Sequence, residues 1–391
     1  MPDRNPSAHP AAIPARATVA ALLVATSYPA DSEDWRGIFM RHLVYALAAR
    51  ADTRIRLWAP PGQVPDNVEL VTRADDRRWL GELLAQGGVA HALRTRGLNG
   101  VLAAVGLLLR LRRCFRDQSA RTDLFHINWL QNALPLPRSR KPLLVTALGT
   151  DMQLLKLPLM KPLLRRVFRA RPTTICPNAE WMVTPLERAF GSVATIRYLP
   201  FGIDPSWFGV TRGTRIGPAR WLVVSRLTRA KLGALFEQGR PHFSGPHRQL
   251  HLVGPMQEQI DVPDWVHYHG AASAQELLTQ WFPAVAGLIT LSEHAEGRPQ
   301  VMLEAMAAGL PIIASNISAH ADLLVHGHTG WLCDSPQDLA LGIQTLERAG
   351  DNERIGAAAR DWVRAHVGTW ADCAERYQGV YRALLLESNS R

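Results

Sequence analysis

Short apolar runs alternate along this chain with longer stretches whose apolar residues recur every three or four positions. Residues 18–26 (T-V-A-A-L-L-V-A-T), 54–60, 123–129 (D-L-F-H-I-N-W) and 143–148 (L-L-V-T-A-L) have the length and continuity of buried strands. Residues 38–50 space their apolar side chains as a helix does. In the second half, 221–225, 250–254, 266–270, 288–291 and 311–315 predict further strands, and 338–346, 353–366 and 370–386 predict helices. Strand alternating with helix implies an α/β fold, a parallel sheet wrapped by helices. The run 196–204 (I-R-Y-L-P-F-G-I-D) and the loop after it, to about 220, interrupt that alternation. Pro200 and Gly202 mark a turn there, and the loop has the character of a hinge. A chain of 391 residues exceeds what one core serves, so two domains are expected, over 17–200 and 201–366, with a loose tail at 1–16 and a terminal segment at 367–391.

The most informative stretch is 291–309, L-S-E-H-A-E-G-R-P-Q-V-M-L-E-A-M-A-A-G. An apolar strand leads into it, a polar loop follows, and a helix begins near Pro299 and stops before Gly309. Glu296 lies in the loop and Glu304 about two turns further on, so they do not share a helical face as an i, i+4 pair would. They can bracket one polyhydroxylated ligand lying over the helix N-terminus, whose free N–H groups suit a phosphate. Carboxylates for sugar hydroxyls beside a phosphate site point to a nucleotide sugar. Two solvated surface glutamates are the plain alternative.

The series Glu296-Gly297-x-Pro299-x4-Glu304-Ala305-Met306-Ala307-x-Gly309-x-Pro311 resembles the Glu-x7-Glu signature of the retaining GT-B glycosyltransferases of family 4. The resemblance runs from about 18 to 385, strong in the second half and diffuse in the first. It implies two Rossmann-like domains facing a central cleft, the first for the acceptor and the second for the nucleotide sugar, and a last helix crossing back to the first domain. By position, Glu296 would contact hydroxyls of the donor sugar and Glu304 the ribose. Arg226 and Lys231, after the strand at 221–225 and about 70 residues before Glu296, would grip the diphosphate and offset the charge on the departing nucleotide. Arg298, in the Glu296 loop, counts with the donor-binding residues. Gly37 would let the loop after the first strand face the phosphates, and Gly254 and Gly270 would let the base approach backbone. Plain turns explain all three glycines too.

Two departures stand out. Leu148 occupies the position of the histidine that many members place before Gly149, which makes Asp151 the nearest candidate for a base or an acceptor contact. Asp after Gly-Thr is also an ordinary helix cap. Leu232 separates Lys231 from Gly233, where the family commonly has Gly directly. No Asp-x-Asp metal motif is present, so metal independence is expected, with no cofactor beyond the donor substrate.

Charge adds a partner. Residues 1–208 hold 28 Lys+Arg against 16 Asp+Glu, leaving 16 against 18 for the rest, so the first half carries the whole net charge of +10. Two stretches there, 91–121 and 156–171, interleave Arg and Lys with Leu, as an interfacial helix does or as a surface helix with its apolar side in the core does. An anionic membrane surface or a lipid-linked phosphate fits this charge; nucleic acid is disfavoured because no recognised binding motif accompanies it. No run reaches the ~20 apolar residues of a spanning helix, and 1–16 lacks the apolar centre of a signal peptide. Cys114, Cys176, Cys333 and Cys373 are too far apart for a zinc site or redox pair, and a reducing cytoplasm fits, with peripheral attachment at the inner membrane face.

The reading is transfer of a sugar from a nucleoside diphosphate sugar to an acceptor hydroxyl with retention of configuration. A glycan or lipid-linked intermediate of surface polysaccharide synthesis is the expected acceptor. A hydrolase would use two carboxylates but gives no role to Arg226 and Lys231. A nucleotide-sugar epimerase does not need a basic first half, and a non-catalytic GT-B-like binding module would draw its support from Leu148 alone.

Overall fold

The computed structural model describes residues 18–31, 34, 36–95, 97–213, 217–294 and 296–390. The tail expected over 1–16 lies outside them. Among the described residues two parallel sheets form. The first takes β1 (Val19–Val24), β2 (Thr53–Trp58), β3 (Glu69–Leu70), β4 (Leu124–Asn128), β5 (Leu143–Ala147), β6 (Thr173–Pro177) and β7 (Thr195–Ile196) in the order β3-β2-β1-β4-β5-β6-β7. The second takes β8 (Ala219–Val224), β9 (Arg248–Val253), β10 (Val266–Tyr268), β11 (Gly287–Thr290), β12 (Ile312–Ser315) and β13 (Trp331–Cys333) in the order β10-β9-β8-β11-β12-β13.

The strands read as unbroken apolar runs because both faces of each sheet are covered. On β1, Ala21 and Leu23 enter the cluster beneath the helix Ile38–Ala48, whereas Leu22 and Val24 enter the cluster on the opposite face with Leu111, Phe115 and Phe168. Each sheet also reverses its direction of travel, between β1 and β4 in the first and between β8 and β11 in the second. Connections on either side of such a point run opposite ways and leave a crevice beyond the strand carboxyl ends, where parallel sheets bind ligands.

The helix Trp370–Asn389 leaves the second domain and packs on the first. Its buried Trp370, Tyr377, Tyr381 and Leu384 join the cluster of Ala21 and Leu23. Each large side chain so buried contributes about 1.5–3 kcal/mol. The tyrosines also meet a polar requirement. His126 sits 2.7 Å from Tyr381 Oη through Nδ1 and 2.9 Å from Thr146 Oγ1 through Nε2, and Tyr377 Oη lies 2.9 Å from that same Oγ1. His126 is therefore a core residue with no exposed surface.

The two-residue β3 and β7, and also β6 and β13, were not read from the sequence. Pro172 and Pro177 frame β6 like turn residues, yet all five of its residues are buried in the sheet. Trp331–Cys333 looks like a loop because it is three residues long and follows Gly327 and Gly330. The helix expected from Pro299 spans Gln300–Ala307, with Pro299 at its cap and Gly309 beyond it at φ 67°.

Candidate functional site

The turns leaving β8 and β11, the strands that flank the reversal of the second sheet, bring Arg226, Lys231 and Glu296 together. Lys231 rides on the short helix Arg229–Leu232, capped by Thr228, whose Oγ1 accepts from Lys231 N at 3.3 Å. Leu232, the residue inserted before Gly233, turns down into the core and lets Gly233 lie against the Leu291 carbonyl, where a side chain would clash. This contact fastens the Lys231 turn to the Glu296 loop. The Lys231 ammonium forms a salt bridge with Glu296 Oε1, and both side chains are about six-sevenths buried. Burial holds the lysine below its usual pKa, opposed by the charge of Glu296. Arg226 stands beside them, adding a like charge to Lys231 and bonding Gln257 Oε1 at 3.3 Å.

Glu304 stands apart from this trio, on the helix Gln300–Ala307. Desolvation, then the nearby charge of Asp204, pushes its carboxyl up to about 7. A carboxyl in that state suits neutral hydroxyl partners better than a metal ion or an ammonium. Among the described residues no group of three or more His, Cys, Asp or Glu is placed to hold a metal.

The glycines fall into two kinds. Gly254, after β9, adopts φ 145°, and a Cβ there would sit 1.7 Å from the Ser225 carbonyl, so only glycine fits where the two strand ends meet. Its N–H donates to Gly270 O at 2.7 Å and its carbonyl accepts from Tyr268 Oη at 3.0 Å. Gly270, at φ 75°, faces open space. Gly37, at φ 73°, caps the helix Ile38–Ala48 and lies against Ser27 at the end of the β1 loop.

Two candidates serve other ends, and both correct the sequence reading. Asp151 has no exposed surface; its Oδ1 accepts from Leu130 N and its Oδ2 from Leu148 N, each at 2.6 Å. With both oxygens spent on backbone it braces the turns after β4 and β5 and does not reach the cleft as a base. Burial dominates its titration and raises the carboxyl to about 6, even against those two amides. Arg298 points into the domain junction. Its side chain is 2% exposed, donates to Tyr198 Oη and lies 3.6 Å from Asp322. Its planar cation is consumed there, away from the Lys231 and Glu296 pair.

That junction is the part of the site that sequence reasoning missed. Asp322 accepts from Glu180 N at 3.1 Å and Trp181 N at 3.0 Å, a carboxylate of one domain capping a helical turn of the other. Trp181 Nε1 donates to Gly297 O at 2.9 Å. Gly149 and Gly297 pack backbone to backbone, where a Cβ on Gly149 would lie 2.2 Å from Gly297 N. The loop bearing Glu296 is thus held from both domains. The acidic residue at 322 was the only signal available in the sequence, because its partners are backbone amides 141 and 142 positions away.

Residues 220–348 match the family model described as Glycosyl transferases group 1. The chain is 26% identical to the GDP-mannose-dependent alpha-(1-6)-phosphatidylinositol monomannoside mannosyltransferase of Mycobacterium tuberculosis over 293 residues, 66% of this chain and 74% of that one. It is also 26% identical to that organism's glycogen synthase over 363 residues, 82% of this chain and 83% of that one. Among solved structures, sucrose-phosphate synthase from Thermosynechococcus elongatus superposes with a TM-score of 0.68 at 18% identity, covering 94% of this chain and all of that one. Anabaena HepE, in complex with UDP-glucose, gives 0.64 at 16% identity over 94% and 100%. The fold is that of the GT-B glycosyltransferases. The matched second domain and the two relatives support a glycosyltransferase of that fold.

Proposed function

We propose that the protein is a retaining glycosyltransferase that moves a hexosyl group from a nucleoside diphosphate sugar to an acceptor hydroxyl. The observation that carries this reading is the Lys231 and Glu296 pair with Arg226 beside it, set at the strand reversal of the second sheet. The nucleotide sugars named for two similar proteins, GDP-mannose and UDP-glucose, support a donor of that class. In the reaction the bond from the anomeric carbon to the leaving phosphate oxygen breaks. A new bond to the acceptor oxygen forms on the same face, and the departing phosphate takes the acceptor proton. Arg226 and Lys231 stabilise the charge that builds on that phosphate. Glu296 accepts from hydroxyls of the sugar and Glu304 from the ribose. No side chain is needed as a nucleophile, which accords with Leu148 and with Asp151 locked in its braces.

The first domain takes the acceptor, for which a lipid-linked or polysaccharide intermediate of surface glycan synthesis at an anionic membrane is the reading we favour. Support comes from the outer face of that domain. The helix Gly97–Gln118 buries Leu107, Leu111 and Phe115 but leaves Leu98, Leu102 and Leu109 at 75%, 59% and 63% exposure, beside exposed Arg112 and Arg116. The segment 156–169 buries Leu164 and Phe168 and exposes Leu157, Leu159 and Leu163 among Lys156, Lys161, Arg166 and Arg169. Apolar and cationic groups side by side in water suit the headgroup region of an anionic bilayer. Among the described residues no helix is long and apolar enough to cross a membrane.

The test is a melting-temperature panel of nucleoside diphosphates and their sugars, followed by product analysis with the donor that stabilises most. Selective stabilisation and an axial or equatorial product linkage matching the donor are expected. A flat panel with acceptor-like lipid present, or an inverted linkage, overturns the reading.

A further inference from the structure

Beneath the Lys231 and Glu296 pair lies a histidine that the mechanism above does not use. His320, on the short helix Ser318–Ala321 after β12, has no exposed surface. Its Nδ1 is 2.9 Å from Ser315 O and 3.2 Å from Ser315 Oγ. The Ser315 hydroxyl spends its own proton on Ser292 O at 2.6 Å, so both Ser315 oxygens present lone pairs to the ring. The network therefore assigns the proton to Nδ1 and leaves Nε2 a bare acceptor, and Nε2 is buried with no partner among the described residues. An unpaired buried acceptor is destabilising, a cost that a leucine of similar size would avoid.

The surroundings give that cost a use. Ser292 joins the Ser315 hydroxyl to the turn before Lys231, its Oγ lying 3.5 Å from Ala230 O, and Glu293 N donates to the same carbonyl at 2.8 Å. His320 stands under the junction of these two turns, close enough for the charges of both Glu296 and Lys231 to act on it. Among the described residues, the Ser315 oxygens bond its Nδ1 and the charges that act on the ring are those of Glu296 and Lys231. An ammonium has three protons to place, and Glu296 takes one. A second anionic partner would cancel the charge that a diphosphate needs, whereas a neutral imidazole would not.

We propose that His320 is a positioning residue whose Nε2 holds the Lys231 ammonium in place when Glu296 turns to the hydroxyls of the donor sugar. This rests on the reading of Lys231 and Glu296 as donor contacts. Burial keeps the ring neutral at ordinary pH, as the role requires. Once acid overcomes the burial that holds the ring's pKa below its usual value, a proton on Nε2 would repel Lys231 and release it.

The experiment is calorimetric titration of the full chain with UDP and with GDP from about pH 5.5 to 8, for the wild type, His320→Leu and His320→Gln, alongside melting without nucleotide. For whichever nucleotide the wild type binds, His320→Leu is expected to weaken binding about tenfold near pH 7.5, the scale of one hydrogen bond to a charged group. His320→Gln, whose amide oxygen can stand near the Nε2 position, restores most of it. Wild-type affinity falls faster on acidification than that of either variant, and the melting temperature of His320→Leu is unchanged or higher. Equal binding by wild type and His320→Leu, or a variant that loses only melting temperature, overturns this inference alone. If His320→Leu does not fold, an acid limb that persists in His320→Gln overturns it. A wild type that binds neither nucleotide overturns the reading of Lys231 and Glu296 and this inference with it.

Discussion

The carboxyl ends of the two sheets meet across one cleft, and they use similar residues in opposite ways. In the second domain, Lys231 and Glu296 are largely buried and bond each other, Arg226 bonds Gln257, and Glu304 is a desolvated carboxyl on the next helix. In the first, Asp151, Asn132 and His126 are fully engaged by backbone amides, a backbone carbonyl or the last helix. The charge of the first domain lies on its outer face instead. Arg110 and Arg113 of the helix Gly97–Gln118 pair with Asp76, while Arg112 and Arg116 are exposed. A polar residue near a strand end is thus a ligand contact only where its oxygens and protons are not already spent.

The sharpest test of this contrast is on the second domain. Arg226→Ala and Glu296→Ala should each lower the transfer rate per folded molecule by roughly 10²-fold or more, since each removes a group that acts on the developing charge or on the sugar. Arg226→Ala should melt as before, whereas Glu296→Ala should melt lower because it strips the buried Lys231 of its partner. Steady-state rates with a donor chosen from the melting panel measure it, and a wild-type rate in Arg226→Ala removes that residue from the mechanism.

Asp151→Ala should do the reverse. Two buried amides lose their acceptor at about 1–3 kcal/mol each, so denaturant midpoints fall while the rate per folded molecule holds. A lost rate at unchanged stability would make Asp151 a site residue after all and erase the distinction between the domains.

Glu304 sharpens it through pH. Its folded-state pKa of about 7 lies above the ordinary 4.5, so the folded chain holds this proton more tightly than the unfolded chain does. The resulting stability is complete below 4.5 and is lost as pH rises through about 7. Glu304→Gln should flatten the melting curve across that window, and an unchanged slope would assign the titration elsewhere.

The smallest effect concerns the outer face. Replacing Leu98 and Leu102 by Ser should weaken co-sedimentation with vesicles rich in anionic lipid several-fold, since each gives up apolar burial only if it enters the bilayer. Binding that is unchanged, or that neutral vesicles match, separates that face from any membrane role.

The sequence was most legible where a function is carried by neighbours along the chain. Unbroken apolar runs disclosed most strands because both sheet faces are covered, and Glu296 and Glu304 were singled out by a spacing that lies within one loop and helix. It was least legible where partners are distant. Nothing near Asp151 announces Leu130 N, and nothing near Arg298 announces Tyr198, a residue 100 positions away. His320 escaped notice for the same reason, since its meaning comes from Ser292 and Lys231 on other strand ends. β6 escaped for a local one, because prolines at the ends of a buried strand look like turns.

The return of the helix Trp370–Asn389 onto the first sheet bears on how the chain is made. Tyr377 and Tyr381 complete the polar contacts of His126 and Thr146, which leave the ribosome long before them. The whole second sheet is synthesised in between, as if one domain had been inserted into another. The first domain therefore waits, with its core open along one face, until the second has emerged. Premature termination just before residue 370 would release a product whose second sheet is complete and whose first domain lacks its last helix, a form well suited to capture by chaperones and proteases.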